Sequence, residues 1–253
     1  MSTVLITGGS QGIGLELAKC YAAHGADLIL CARSEERLEE ARRQIRSLYD
    51  VSVDLISVDL SKDGAAETLY EQVKERNVDV LINNAGIGFT GISWELPLEQ
   101  EEEMVRLNTA SLMSLCKLFL KDFIAKGSGT IVNVASTGAF QPGPYIAGYY
   151  ASKAFVLNYT KALYEEAKPY GITVCCLCPG PVDTDFYMKS GGRKPKLIMS
   201  AEKTAQIAYR EIQKAKKVIV PGVLNRLVLV LPESVRVSYV RKTKLKNLMR
   251  RQK

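Results

Sequence analysis

The sequence predicts a single α/β domain built on a doubly wound parallel sheet and finished by a basic C-terminal extension. Three observations lead there. Apolar runs of strand length alternate with stretches of helical periodicity. Successive residues of those runs are apolar, so both strand faces are buried, as in a sheet with helices on either side. A glycine turn, "TGGSQGIG", joins the first run to the first helical stretch. The 253 residues can bury a full core, and no linker, repeat or low-complexity tract divides them, so 1–253 reads as one domain.

The elements follow in order. "TVLIT" is the first strand, and a helix spans about 12–24 after the turn. Gly8, Gly12 and Gly14 let the backbone turn sharply and approach a pyrophosphate, with the helix N-terminus supplying unpaired N–H groups and a positive dipole end. The spacing is T-G-x-x-x-G-x-G, not G-x-G-x-x-G. "ADLILCA" is the second strand. Ser34 caps the helix that follows, with Glu35 and Glu36 in its first turn. An acid at the end of this strand would bond the adenosine ribose of NAD. Here Cys31 and Ala32 are uncharged, while Arg33 and Ser34 suit a 2′-phosphate, so the expected cofactor is NADP(H). "VSVDLISVDL" is the third strand, followed by a helix near 63–76, and "VDVLINNAG" is the fourth. A long helix covers 99–126, "GTIVNVAS" is the fifth strand, and a helix spans 149–168. "GITVCCLCPG" is the sixth strand and "KKVIV" a short seventh.

Chemistry concentrates at the start of the 149–168 helix, in "GYYASKAF". Lys153 follows Tyr149 by four residues and Tyr150 by three, so either tyrosine can share its helix face, and spacing alone does not choose. An ammonium nearby would lower a phenol's pKa from about 10 and make it a proton donor to a carbonyl or acceptor from an alcohol. Ser136 ends the fifth strand on the edge where parallel strands face their ligand, and its hydroxyl can donate to a substrate oxygen. "NNAG" and "CPGPVDT" leave the fourth and sixth strands at that edge. His24, the only histidine, reads as a helix-end dipole partner or plain surface.

Together these motifs resemble the short-chain dehydrogenase/reductase family in its single-domain, Rossmann-like form, over residues 3 to about 185. The resemblance implies hydride transfer between nicotinamide and a ketone or secondary alcohol, without a metal. It selects Tyr149 as acid/base, with Lys153 lowering its pKa and holding the nicotinamide ribose. Ser136 would polarise the carbonyl, and Asn108 would hold a water that relays protons from Lys153. Cofactor contacts are implied for Gly8, Ser10, Gln11, Gly12, Ile13 and Gly14 of the turn, and for Arg33 and Ser34. Asp59 and Leu60 would sit at the adenine, with Asn83, Ala85 and Gly86 lining the adenosine side. Pro179, Gly180, Val182 and Thr184 would hold the carboxamide end. Within the family the chain resembles bacterial reductases related to hydroxysteroid dehydrogenases and 3-ketosphinganine reductases. A 3-ketoacyl-thioester reductase is the rival enzyme, and an NADP-sensing binding protein the rival of another class. Relatives commonly pair through the two long helices, implying a homodimer or tetramer.

The substrate is expected to be hydrophobic, steroid- or lipid-like. In the 185–215 lid region, Phe186, Tyr187, Met188, Leu197, Ile198 and Met199 could wall a pocket, with Gly191 and Gly192 letting it move, or could simply pack. Gln141, Pro142 and Tyr145 would form the other wall. Composition excludes more than it selects. Hydrophobic residues at 47% and charged residues at 24% suit an ordinary soluble protein, and no run of about 20 apolar residues would span a bilayer. "MSTVLITGG" enters a strand and not a signal peptide, so a cytoplasmic location is expected. Most of the six cysteines lie in apolar runs, and adjacent Cys175 and Cys176 would face opposite sides of a strand, so reduced thiols and no metal are expected. From Lys216 onward eleven basic residues meet one acid, Glu233, a balance of +10 in a chain of net +7. The body is thus mildly acidic, which argues against nucleic acid. In the 222–253 extension Leu224, Leu227, Val228 and Leu231 fall at helical spacing, and Val237, Val240, Leu245, Leu248 and Met249 lie among lysines and arginines. This extension is either a basic surface for anionic membrane or a packed end with a solvated basic tip.

Overall fold

A computed structural model describes residues 2–191 and 198–250. Its strands are β1 (Thr3–Thr7), β2 (Asp27–Ala32), β3 (Val53–Ser57), β4 (Val78–Asn83), β5 (Gly129–Val134), β6 (Ile172–Leu177), β7 (Val182–Asp183), β8 (Met199–Ser200) and β9 (Val218–Ile219). Seven of them form one parallel sheet in the order β3-β2-β1-β4-β5-β6-β9, and β7 and β8 pair with each other. The chain builds outward from β1 to β3, then returns to place β4 on the other flank of β1. Connections therefore diverge between β1 and β4, and a crevice opens at their carboxyl ends.

The helices are α1 (Gly12–Ala22), α2 (Glu35–Arg46), α3 (Ala65–Val73), α4 (Leu98–Val105), α5 (Leu112–Lys126), α6 (Ala147–Ala167), α7 (Phe186–Lys189), α8 (Ala201–Ile212), α9 (Val223–Val230) and α10 (Glu233–Met249). Alternate strand residues feed the two core layers. Val4 and Ile6 pack with Leu17, Leu38 and Ala205 of α1, α2 and α8, while Leu5 packs with Leu69, Phe119 and Val156 of α3, α5 and α6. The same alternation sends Cys175 to one layer and Cys176 with Cys178 to the other, as the strand geometry requires. Burial pushes the Cys116 and Cys175 thiols up to about 12, so they serve as small hydrophobes.

Local signals act as expected at α2, where the Ser34 hydroxyl accepts from the Arg37 amide at 3.3 Å. His24 sits at the end of α1, its Nδ1 2.8 Å from the Cys20 carbonyl oxygen and its ring stacked on Tyr209. Two expectations change. The long 99–126 helix is interrupted by a π-helical turn, Arg106–Ser111, that carries Asn108. The 185–215 lid divides: α8 buries Thr204, Ala205, Ala208 and Ile212 against α1 as a core helix, while its Lys203, Ile207, Arg210 and Glu211 line the cleft. The C-terminal extension forms two helices broken at Leu231–Pro232, because proline cannot continue α9 but can open α10. Among the described residues no helix is long and apolar enough to cross a membrane.

Candidate active site

The cofactor end is assembled by bonds between β1 and β4. The Thr7 hydroxyl accepts from the amides of Asn84 and Ala85, and the Asn84 side chain donates to the carbonyls of Thr7 and Gly8 at 3.0 and 3.1 Å. Gly8 and Gly12 have φ of +65° and +57°, in the left-handed region. A Cβ on Gly8 would lie 2.8 Å from Asn84 Nδ2, and one on Gly12 3.0 Å from Thr184 Cγ2. Ser10, Gln11, Gly12 and Ile13 line the cleft, and no side chain caps the first N–H groups of α1. Gly14 lies behind the turn, where a Cβ would strike the Gly8 carbonyl, so it serves packing.

The end of β2 supplies cations. Arg33, Ser34 and Arg37 all line the cleft. Arg33 Nη1 lies 3.1 Å from Glu103 Oε1 across the opening, and Arg37 Nη1 donates to Gln11 Oε1 at 2.7 Å. Sequence reasoning missed Arg37, one helical turn beyond Arg33, and Glu103, which only the fold brings to this edge. Asp59 and Leu60 line the cleft, with Asp59 Oδ1 accepting from the amide and hydroxyl of Ser61. Ala85 and Gly86 line the cleft as expected, but Asn83 does not. Its side chain points into the core and donates to Asn133 Oδ1 at 2.9 Å, because the strand alternates and Asn84 takes the outward position. Pro179, Gly180, Val182 and Thr184 close the far wall. Open cradle, helix N-terminus and paired arginines together fit NADP(H).

Ser136, Tyr149 and Lys153 meet on the cleft floor. The Tyr149 ring is held between Gly88, where a Cβ would come within 2.7 Å of it, and Phe186, whose ring centre is 5.2 Å away. Burial holds the Tyr149 phenol well above the ordinary 10, and donation from the Ser136 hydroxyl opposes that rise. Lys153 Nζ donates to the Val134 carbonyl at 2.8 Å and lies 5.9 Å from the Tyr149 ring centre. Burial pulls its ammonium down from 10.5 to about 8. Burial dominates the Tyr149 phenol in this arrangement, so proximity to Lys153 does not set its resting proton affinity.

Asn108 is fully buried behind the floor. Its Oδ1 accepts from the Ile87 amide, and its Nδ2 donates to the Ile87 carbonyl and the Ser152 hydroxyl. A Cβ on Gly86 would meet both Lys153 Nζ at 3.1 Å and Asn108 Oδ1 at 3.2 Å, so the two groups flank one narrow gap. Tyr150 packs its ring on Gly138 and Gly143 while also lining the cleft. The floor thus carries one tyrosine tied to Ser136 and one bracing the adjoining loop.

The substrate end departs from expectation. Gln141 and Ile146 line it, whereas Pro142 and Tyr145 do not. Phe186, Tyr187, Ile198 and Met199 line it, Met188 is exposed, and Leu197 and Gly192 lie outside the described residues, as do Arg251 and Lys253 of the tail. The C-terminal extension completes the wall. Asn225 of α9 packs on Gly180, and Arg236 of α10 donates to the Phe140 carbonyl at 3.1 Å and Gln141 Oε1 at 2.7 Å. Eight residues on, Lys244 Nζ is 3.4 Å from Thr90 Oγ1 in the loop after β4. Helix α10 therefore straps the mouth from the β5 side to the β4 side, over about 12 Å at the rise of an α-helix.

Comparisons with known proteins agree with this geometry. The short chain dehydrogenase family model matches residues 2–194. Hydroxysteroid dehydrogenase-like protein 1 of Gallus gallus is 35% identical over 218 residues, covering 84% of this chain and 66% of that protein. The short-chain dehydrogenase from Sphingobium yanoikuyae in complex with NADPH has a TM-score of 0.85 at 31% identity, covering 88% of this chain and 89% of that one. The bulky-bulky ketone specific alcohol dehydrogenase from Comamonas testosteroni has a TM-score of 0.79 at 27% identity, covering 98% and 94%. The family match runs through the glycine cradle, the Ser136–Tyr149–Lys153 cluster and the sixth strand, and on that ground the chain belongs to the short-chain dehydrogenase family, as an NADP(H)-dependent oxidoreductase acting on CH–OH groups.

Proposed function

We propose that the protein interconverts a bulky apolar ketone and its secondary alcohol, with Tyr149 as the proton donor and acceptor. The observation that carries this reading is the Ser136–Tyr149 pair at the floor of a cleft whose substrate half is walled by Tyr150, Phe186, Tyr187 and the strap helices. The cleft holds about 2020 Å³, beyond the roughly 300–1,000 Å³ of an ordinary small-molecule site, which suits a dinucleotide beside a large substrate. Bound NADP(H) supplies or accepts the hydride, and the protein supplies position and the proton. Tyr149, kept protonated by burial, donates to the carbonyl oxygen during reduction. Ser136 orients that oxygen, and Lys153 stabilises the phenolate left behind. Asn108, sharing the gap at Gly86 with Lys153, supports a relay that returns the proton from solvent. A panel of ketones read by NADPH absorbance tests the reading. Bulky apolar ketones are expected to turn over fastest; turnover of short 3-ketoacyl thioesters alone would overturn it.

The same reading extends to the setting. The outer side of the C-terminal helices suits an anionic membrane surface. Among the described residues α9 has no buried member, Leu227 and Val230 are 58% and 82% exposed, and Arg241, Lys242 and Lys246 lie exposed on α10. Each basic group near an anionic surface contributes about 1 kcal/mol. Sedimentation with anionic vesicles at low salt is expected, and none would remove the membrane contact. Exposed Met113, Ile124 and Phe155 on α5 and α6 support self-association into a dimer or tetramer, which light scattering measures. Six free cysteines, two of them with sulfurs 3.6 Å apart, suit a reducing, cytoplasmic location.

A further inference from the structure

The cleft-facing stripe of α10 changes character along its length. Residues lining the cleft recur at helical spacing through Arg236, Val240, Lys244, Asn247 and Arg250. At the Arg236 end the lining is apolar: Val235, Tyr239 and Val240 continue the wall begun by Val228 and Leu231. Beyond Val240 it becomes Thr243, Lys244, Asn247 and Arg250, hydrogen-bonding and cationic throughout. The tail's one acid, Glu233, lies at the opposite end of the helix and does not line the cleft. Among the described residues the side-chain carboxylates that line the cleft are Asp59, Glu103, and Glu211, which pairs with Lys214 and Lys216. Arg241, Lys242 and Lys246 are not part of this stripe, so the basic tail has two distinct faces.

We infer that the substrate is an amphiphile whose ketone sits at Tyr149 on an apolar body and whose far end carries an anionic group bound by Lys244 and Arg250. This rests on the ketone reading above and names the substrate class for that site. The ten steps from Val240 to Arg250, the residue that follows the last of α10, span about 15 Å at the rise of an α-helix, which sets the reach from the apolar wall to the anion site. A carboxylate, sulfate or phosphate shares the required chemistry of oxygens that accept from guanidinium and ammonium. The strap then has a purpose in recognition as well as closure. Its pinned end at Gln141 holds the apolar wall against the catalytic floor, and its basic end holds the head group at the mouth.

The test uses the full chain with NADP(H) and two matched probes, a long-chain oxo fatty acid and its methyl ester, without vesicles. Binding is read by calorimetry and turnover by NADPH absorbance. The acid is expected to bind at least about tenfold tighter than the ester, the scale of a charge-assisted hydrogen bond. Arg250→Ala, which leaves the strap's bonds to Gln141 and Thr90 in place, should reduce that preference while leaving the ester's affinity unchanged; Lys244→Met also removes the bond to Thr90, so it is read by the acid-to-ester ratio, which should fall. A phosphate-ended ketone compared with its neutral analogue reports which anion is preferred. Equal binding of acid and ester, loss of both in Arg250→Ala, or an unchanged acid-to-ester ratio in Lys244→Met overturns the proposal. Turnover of neutral ketones without any acid preference would sink the amphiphile and leave the ketone reading intact. Acid preference in binding with no ketone turned over would sink the ketone reading instead.

Discussion

Replacing Lys153 with methionine tests whether this lysine's burial works against the fold. Lys153 is 4% exposed, and burial lowers its pKa from 10.5 to about 8. Between those values the unfolded chain keeps the lysine proton while the folded chain releases it, so this group makes stability rise with pH across that window. Below about pH 8 the penalty is fully present, about 3 kcal/mol at roughly 1.4 kcal/mol for each tenfold in the proton equilibrium. By about pH 9.5 roughly 2 kcal/mol of it has gone. Methionine removes the penalty at every pH. It also forfeits the 2.8 Å bond to the Val134 carbonyl, a cost of about 1–3 kcal/mol that does not vary with pH. The variant should therefore melt near or above the wild type at pH 7. The wild type should then gain about 2 kcal/mol on it by pH 9.5, roughly 4–8 °C for a chain of this size. Circular-dichroism melts of both proteins at several pH values measure the gap. A gap that stays constant from neutral pH to about 9.5 would refute the reasoning that desolvation sets this lysine's proton affinity.

Tyr149→Phe should lower kcat by about 10²–10⁴ while NADPH still binds by fluorescence titration, and Tyr150→Phe should keep most activity; the reverse ranking would reassign the acid. Arg33→Ala should weaken NADPH by about ten- to hundredfold and leave NADH nearly unchanged, read as dissociation constants, since only the former carries the 2′-phosphate. Glu103→Gln frees Arg33 from an exposed ion pair worth about 0.2–1 kcal/mol, so NADPH should bind up to about fivefold tighter; weaker binding would show that Glu103 orients Arg33 instead. Gly88→Ala places a methyl 2.7 Å from the Tyr149 ring, and should cut kcat strongly with a stability loss of about 1–3 kcal/mol by thermal melt.

By itself the sequence determined the sheet, its helices and the order in which motifs reach one edge. Those features follow from local rules: two-sided apolar strands, the glycine turn, Ser34 as a cap, and the reach of Lys153 along a helix face from Tyr149. The tertiary structure decided what depends on distant parts of the chain meeting. Asn83 and Asn84 are indistinguishable by composition, and only strand orientation turns one to the core and the other to the glycine turn. The lysine and tyrosine proton affinities could not be read from spacing, because it is burial in the folded floor that raises the Tyr149 phenol and lowers the Lys153 ammonium. Arg33 announced a phosphate site, but Glu103, seventy residues away, became its partner only on folding. The basic tail shows the same division. Its charge and periodicity were visible, while its place across the cleft came from Arg236 meeting Gln141, ninety-five residues earlier, a contact no local pattern encodes.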